Sequence, residues 1–176
     1  SNRRIDRADT RAKDASARPV AGRSLAGGRS QAGLDLATRF DLESVFSQIR
    51  YAEDATTVTR VDLFPAIDDA QKVDSGLFAT WTRPLADRIS LGLGARGDYV
   101  ESQNRGGYFG DHSTDETAFS GNVALSFGPF AGWSTTAQVV RGFRTPTLSD
   151  LYFRGPSGRG FVTGNPDLGP EESLQF

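Results

Sequence analysis

Apolar and polar residues alternate in recurring runs along this chain, and a period of two predicts half-buried β-strands rather than helices. Across residues 33–42, Leu34, Leu36, Phe40 and Leu42 fall on one face and Asp35, Arg39 and Asp41 on the other. Residues 45–53 repeat the pattern less cleanly, with Val45, Ile49 and Tyr51 opposed to Gln48 and Arg50. A polar stretch follows, carrying Pro65 and Asp68-Asp69, and its segment 58–63 extends the strand reading. Residues 75–82 set Leu77, Ala79 and Trp81 against Phe78, Thr80 and Thr82, and residues 83–87 read as a tight turn. The cleanest alternation lies in 88–101, where Ile89, Leu91, Leu93, Ala95 and Tyr99 oppose Ser90, Gly92, Gly94, Arg96 and Asp98. After a long polar loop at 102–116, residues 117–127 place Phe119, Val123, Leu125 and Phe127 against Ala118, Ser120, Asn122, Ala124 and Ser126. A turn at 128–132 leads to strand 133–143, with Trp133, Ala137 and Val139 opposite Ser134, Thr136 and Gln138. Residues 1–32 are charged, rich in Gly, Ala, Ser and Arg, and aperiodic, so they read as a loop or frayed segment.

Short and long connections alternate between these strands. Short turns at one end and long loops at the other are the pattern of an antiparallel up-and-down transmembrane β-barrel, with periplasmic turns and extracellular loops. Aromatic residues support it: Trp81, Phe127 and Trp133 lie near the short turns, Tyr99 and Phe119 near the long loops. Two aromatic levels flanking an aliphatic stretch are what two lipid interfaces select. Arg39, Asp41, Arg96 and Asp98 lie on the opposite face, where they meet a polar lumen, since a charge facing lipid at mid-depth costs about 2–4 kcal/mol. Six such strands and the start of another near Ser173 are too few to close a barrel. The expected unit is therefore an incomplete barrel over residues 33–176, following the charged segment 1–32.

Composition narrows this further. Twelve phenylalanines and twenty glycines without a cysteine fit a turn-rich all-β chain and exclude disulfides or a thiolate metal site. A net charge of −2 carries no nucleic-acid signature. No apolar run approaches the length of a transmembrane helix, which leaves a strand-built membrane protein open. The chain has no methionine, even at position 1, so it is expected to be processed or cut from a longer product.

Motifs with chemical precedent are weak. Gly92, Gly94 and Gly97 satisfy G-x-G-x-x-G, but the dinucleotide reading needs a helix after the glycines and here a strand runs through them. Arg96-Gly97-Asp98 lies inside the same strand. Asp111, His112, Asp115 and Glu116 could coordinate a metal, yet one histidine in a charged loop reads as solvated. Nothing places a nucleophile, base and acid together, and no cofactor is expected. Tyr108, Phe109 and His112 are extracellular-loop candidates; Tyr108 and Phe109 could touch a ligand, but flexible loop filler is the preferred reading.

The most patterned stretch is 141–176. It contains Gly142-Phe143-Arg144-Thr145-Pro146-Thr147-Leu148, then Leu151-Tyr152, then Gly164-Asn165-Pro166-Asp167-Leu168 with Pro170-Glu171-Glu172-Ser173. These residues resemble the double signature in the barrel of TonB-dependent outer-membrane receptors. The resemblance covers residues 74–176 by motif and 1–73 by pattern alone. It implies a 22-stranded barrel in outer-membrane lipid, further strands, a plug domain and, through that plug, TonB. It also implies active uptake of an iron–siderophore, haem, cobalamin or a similar scarce ligand. A passive porin or adhesion barrel, or a soluble carbohydrate-binding β domain, is the alternative. Within the stretch, Pro146 is expected to end strand pairing, and Asn165-Pro166 and Gly169-Pro170 to turn the chain back. Phe176 is expected to mark truncation rather than a terminal aromatic. Arg144 and Glu171 are expected to pair across the loop, or each to cap nearby backbone on its own.

Overall fold

Antiparallel pairing of successive strands turns the alternation into two continuous faces. The computed structural model describes residues 4–54, 56–157 and 160–176. Within these, β1 (Arg4–Ala17) and β2 (Val20–Leu25) both pair with β3 (Gly28–Tyr51). There follow β4 (Val58–Ala86), β5 (Ile89–Gly107), β6 (His112–Phe130) and β7 (Trp133–Arg144), each beside its predecessor. A five-residue helix α1 (Leu148–Tyr152) and a small hairpin, β8 (Arg154–Ser157) with β9 (Gly160–Thr163), come next, and β10 (Glu171–Gln175) returns to pair with β7. The main sheet has eight strands and curls into a half-barrel, an incomplete all-β barrel.

Three two-residue turns, Ala26-Gly27, Asp87-Arg88 and Ala131-Gly132, lie at one end. Both residues of the first and last take positive φ: Ala26 52°, Gly27 71°, Ala131 49° and Gly132 89°. That turn geometry has the twist of the strands it joins. The opposite end carries the longer connections, Tyr51 to Val58, Gly107 to His112 and Arg144 to Glu171.

The outer face is apolar. Trp81, Leu93, Val123 and Val139 are successive cross-strand partners, and Phe119 lies across Gly97 from Leu77. Leu77 and Phe119 are more than 60% exposed, too much contiguous apolar surface for water alone. Ile89 pairs with Phe127 at the foot of β5, and Tyr99 stands ten residues further along. At a tilt of about 45° this spans roughly 24 Å, the height of a hydrocarbon layer. The inner, concave face is polar. Arg96 donates from Nε to both carboxylate oxygens of Asp98 at 2.8 Å and also bonds Asp35. Arg18 reaches Asp35 at 3.2 Å and lies over the Phe78 ring. Gly76 leaves room for this network, since a Cβ there would stand 2.5 Å from Asp98 Oδ1. Gly94 likewise makes way for Asn122, and Gly97 lets the Phe119 ring approach, so these two glycines of the G-x-G-x-x-G run serve side-chain packing inside a strand.

Several sequence expectations are corrected. The segment read as a loop at 1–32 is largely strand: residues 1–3 lie outside the described residues, and from Arg4 on β1 and β2 form one interrupted strand along β3, broken at Arg18-Pro19, where proline has no N–H to donate. The segment 33–42 and, as far as Tyr51, the segment 45–53 belong to one strand, β3, and most of the polar stretch before residue 75 belongs to the 29-residue β4. The loop read at 102–116 shrinks to residues 108–111. Leu42 does not share a face with Leu34 and Leu36. A bulge at Asp41, φ 53°, inserts an extra residue opposite β4 and turns Leu42, Ser44, Phe46 and Gln48 inward, where all are buried.

The bulge yields a test. Asp tolerates positive φ, Gly does so without strain, and a β-branched residue does not. In the receptor expressed from its full gene, Asp41→Gly is expected to assemble normally and Asp41→Val to lose most of its folded fraction. The readout is the compact, heat-modifiable band on unheated gels. Equal folding of both variants would show that the bulge does not fix the face of Leu42.

Candidate functional site

The inner face at the long-loop end is where the chain builds a site, and it begins with Pro146. Proline ends the ladder of β7, and the next residues fold back over the sheet instead of leaving it. Thr147 caps α1: its hydroxyl accepts from Asp150 N at 3.1 Å, while Asp150 Oδ2 accepts from Thr147 N at 2.9 Å. Such reciprocal capping satisfies two otherwise orphan donors. It holds the Asp150 carboxyl below the usual carboxylate range, the Thr147 N–H being the largest cause and its hydroxyl the next.

The helix then buries Leu148, Leu151 and Tyr152 against Leu42, Ile67 and Ala70 of β3 and β4, with Phe109 and Phe153 at the margin. This cluster, not the barrel wall, is the apolar core of the described residues. Lys72, largely buried, ties down the entry to the helix by donating 2.9 Å bonds to Thr145 Oγ1 and the Pro146 carbonyl.

The second half of the motif closes the fold-back. Gly164 N donates to the Phe153 carbonyl at 2.7 Å, and Asn165 N to the Asp150 carbonyl at 3.0 Å. A Cβ on Gly164 would stand 2.6 Å from the Leu151 carbonyl oxygen, so only glycine fits. Asn165 Oδ1 accepts from Asp167 N and its carbonyl from Leu168 N, which makes the turn around Pro166. The chain then passes Pro170 into β10, where Ser173, Glu172 and Glu171 pair with Gly142, Phe143 and Arg144. Arg144 forms a two-pronged bond to Glu171, both contacts at 3.2 Å, so the expected clamp is present. Between this clamp and the 164–168 turn lies a cavity of about 540 Å³ whose wall includes Asp150, Phe153 and Leu168.

The three loop candidates converge on this segment. Tyr108 meets Phe109 edge-on at 4.9 Å and lies beneath the Arg154 guanidinium at 3.8 Å. Phe109 packs against the helix cluster. His112 faces the edge of Tyr152 at 6.1 Å. Asp115 alternates to the face opposite His112 and Glu116, so the four potential metal ligands do not converge.

A second cavity, about 420 Å³, opens beside Tyr108. Arg4, Phe46, Phe64, Arg154 and Phe161 help to line it. Phe46 and Phe64 are cross-strand partners stacked at 5.7 Å and 19°. Above them, Arg4, Arg50 and Arg60 stand in one row across three strands, with Asp6, Gln48 and Asp62 in the row below. Arg4 bonds Asp6 at 2.8 Å and Arg60 bonds Asp62 at 2.6 Å. The Arg4 guanidinium holds Asp6 below the usual carboxylate range. Sequence reasoning missed this second cavity. Apart from Phe46, its residues named above come from segments read as frayed, polar or loop, and all lie far apart in the chain with nothing local to link them.

A family model described as TonB dependent receptor-like, beta-barrel matches residues 3–176. No curated protein matches the chain significantly.

Two tests probe the fold-back in the full-length receptor. Gly164→Ala is expected to destabilise docking of the segment by roughly 1–3 kcal/mol through overpacking, seen as faster proteolytic nicking between residues 145 and 165 while the barrel band stays folded. The Asp150 cap carries a pH signature. Its carboxyl pKa is depressed on folding, so the cap's contribution is complete above about pH 4, the unfolded value, and is lost as pH falls through the folded value. Nicking should therefore rise on acidification below about pH 4, and Asp150→Ala should flatten that rise and show elevated nicking at neutral pH.

Proposed function

The chain belongs to the TonB-dependent receptor β-barrel family, and on that premise we propose that it forms wall and outer vestibule of an outer-membrane active transporter. The transporter takes up a scarce ligand of the iron–siderophore, haem or cobalamin kind, using energy delivered by TonB. Its partners are outer-membrane lipid along the apolar band, further barrel strands at the sheet edges, and a plug domain against the polar inner face, through which TonB acts. No part of this work calls for an enzyme active site or nucleic acid.

The observation that carries the reading is the fold-back of α1 and the paired strands β8 and β9 on the lumen side. A passive pore gains nothing from a helix and hairpin packed over its inner wall at the mouth. A transporter that must hold a ligand before moving it gains a structured, concave vestibule there. The charged inner face also suits a removable filling. Its ion pairs satisfy one another across the sheet, as Arg96, Asp35 and Asp98 do, so the wall stands without permanent external partners.

Uptake decides between the transporter and the porin. Cells producing the full-length receptor as their only uptake route for a candidate chelate should accumulate the labelled chelate. Deleting TonB or collapsing the proton gradient should lower accumulation at least about tenfold, the scale of a lost active step. Flux unchanged by both treatments would establish a passive pore instead.

A further inference from the structure

We infer that the lipid face near the short turns binds an anionic phospholipid of the periplasmic leaflet, with its phosphate on Arg23 and Arg83 and an acyl chain in an apolar groove of about 780 Å³. The inference rests on the membrane part of the reading above and not on transport.

Charge complementarity names the occupant. The strand ends that meet at the short turns, residues 21–32, 79–95 and 121–140, hold Arg23, Arg29, Arg83 and Arg88 against one acid, Asp87. No ion pair among the described residues includes any of the four arginines. At the long-loop end, by contrast, cations and acids pair within the sheet, as Arg39 with Asp14 and Arg105 with Asp69 do. Arg29 alternates to the lumen, whereas Arg23 and Arg83 alternate to the lipid face in step with Leu25 and Trp81. Guanidiniums on that face are stable only where they reach headgroups, and unpaired cations there attract anionic ones. Arg83 extends from β4 across β3 toward the strand that carries Arg23: a Cβ on Gly27 would stand 3.5 Å from its Nε. Trp81 crosses beside it over Gly28, and its Nε1 donates to the Leu25 carbonyl at 3.0 Å. An interfacial tryptophan ordinarily turns that N–H to the wet side. Here the protein satisfies it, which leaves the arginine forks as the donors for a phosphate.

The groove supplies the place for the chain. One ridge of large side chains is Leu34, Leu77 and Phe119, the other Trp81, Leu93 and Val123. The ridges stand four residues apart along β4, about 13 Å. Between them Ala32, Ala79 and Ala95 are exposed side by side on β3 to β5, so the surface sinks to a shallow floor. Arg23 lines the groove where it reaches β2. The ridges fill part of the width, so an α-helix, about 10–12 Å across, does not enter, whereas an alkyl chain does. Such a chain gains dispersion contact on its flanks as well as beneath, and its phosphate end falls beside Arg23.

Native mass spectrometry of the delipidated full-length receptor in detergent tests this by titration with phosphatidylglycerol and phosphatidylethanolamine of identical acyl chains. The anionic lipid should bind at least about fivefold more tightly, the scale of one arginine near a charged headgroup. Raising ammonium acetate from about 0.1 to about 0.5 M should shrink that preference. The double variant Arg23→Gln with Arg83→Gln should lose the preference and keep its phosphatidylethanolamine binding. Ala79→Leu, which raises the groove floor, should weaken both lipids with the arginines intact. Heat-modifiable migration confirms that each variant is folded. Equal binding of the two lipids, a preference kept by the folded double variant, or displacement by glycerol 3-phosphate would overturn the inference. So would lipopolysaccharide binding that the double variant loses, or a receptor dimer that Ala79→Leu dissociates. Lipid titration involves no TonB and no gradient, so its failure leaves the uptake reading standing. TonB-independent flux with the lipid preference retained would remove the transporter reading and keep the lipid site.

Discussion

Hydrocarbon offers no water to a backbone N–H or C=O, so a strand can cross it only if its neighbours pair it along the whole crossing. The continuous ladders from β3 through β7 meet that condition, and the rest of the architecture follows from them. Two-residue turns suffice at one end because paired antiparallel strands bring their ends together. Once pairing is fixed, the pleat decides which side chains meet lipid and which meet the lumen, and a one-residue slip would exchange them. The register is therefore unbroken within the apolar band, and its shifts lie above it or, between Pro84 and Ala86 and between Phe127 and Phe130, beside the short turns. At Asp41 and Asp69 the extra residues redirect side chains inward, where the fold-back needs an apolar platform of Leu42, Ile67 and Ala70.

The same condition explains how much of the fold was legible. Inside the band one face must be apolar and the other polar, so residues 88–101 and 117–127 carried clear alternation and their faces were read correctly. Above the band both faces are polar or mixed, and the period-two signal disappears although the ladder continues. That is why β1, residues 64–74 of β4, the top of β5 and the start of β6 were not read as strand. Leu42 was misplaced for a related reason. Alternation counts residues, and a bulge adds one that no hydrophobic pattern announces.

The site was legible in part. The 141–176 motif marked the fold-back because its Gly and Pro residues answer local backbone demands, such as the contact between Gly164 and the Leu151 carbonyl. Local demands leave local signatures. Tyr108, Phe109 and His112 were found as loop aromatics, but their partners, Arg154 and Tyr152, became visible only in three dimensions. Lys72 gave no warning at all: it stands in the polar stretch before residue 75, and its acceptors lie more than seventy residues away.

The order of strength among these contacts says what the motif is for. The Arg144–Glu171 pair is more than 60% exposed on both sides, and exposed pairs stabilise weakly. Leu148 and Leu151 are almost wholly buried, and burying a leucine contributes about 1.5–3 kcal/mol. The fold-back is thus held by its helix, while the ion pair sets the register of β10 on β7. Because α1 leads directly into β8, the depth to which Leu151 and Tyr152 sink also fixes where Arg154 stands over Tyr108. Residues that never touch the second cavity therefore shape its wall. The motif is architecture, and the chemistry of recognition is free to vary on the residues it positions.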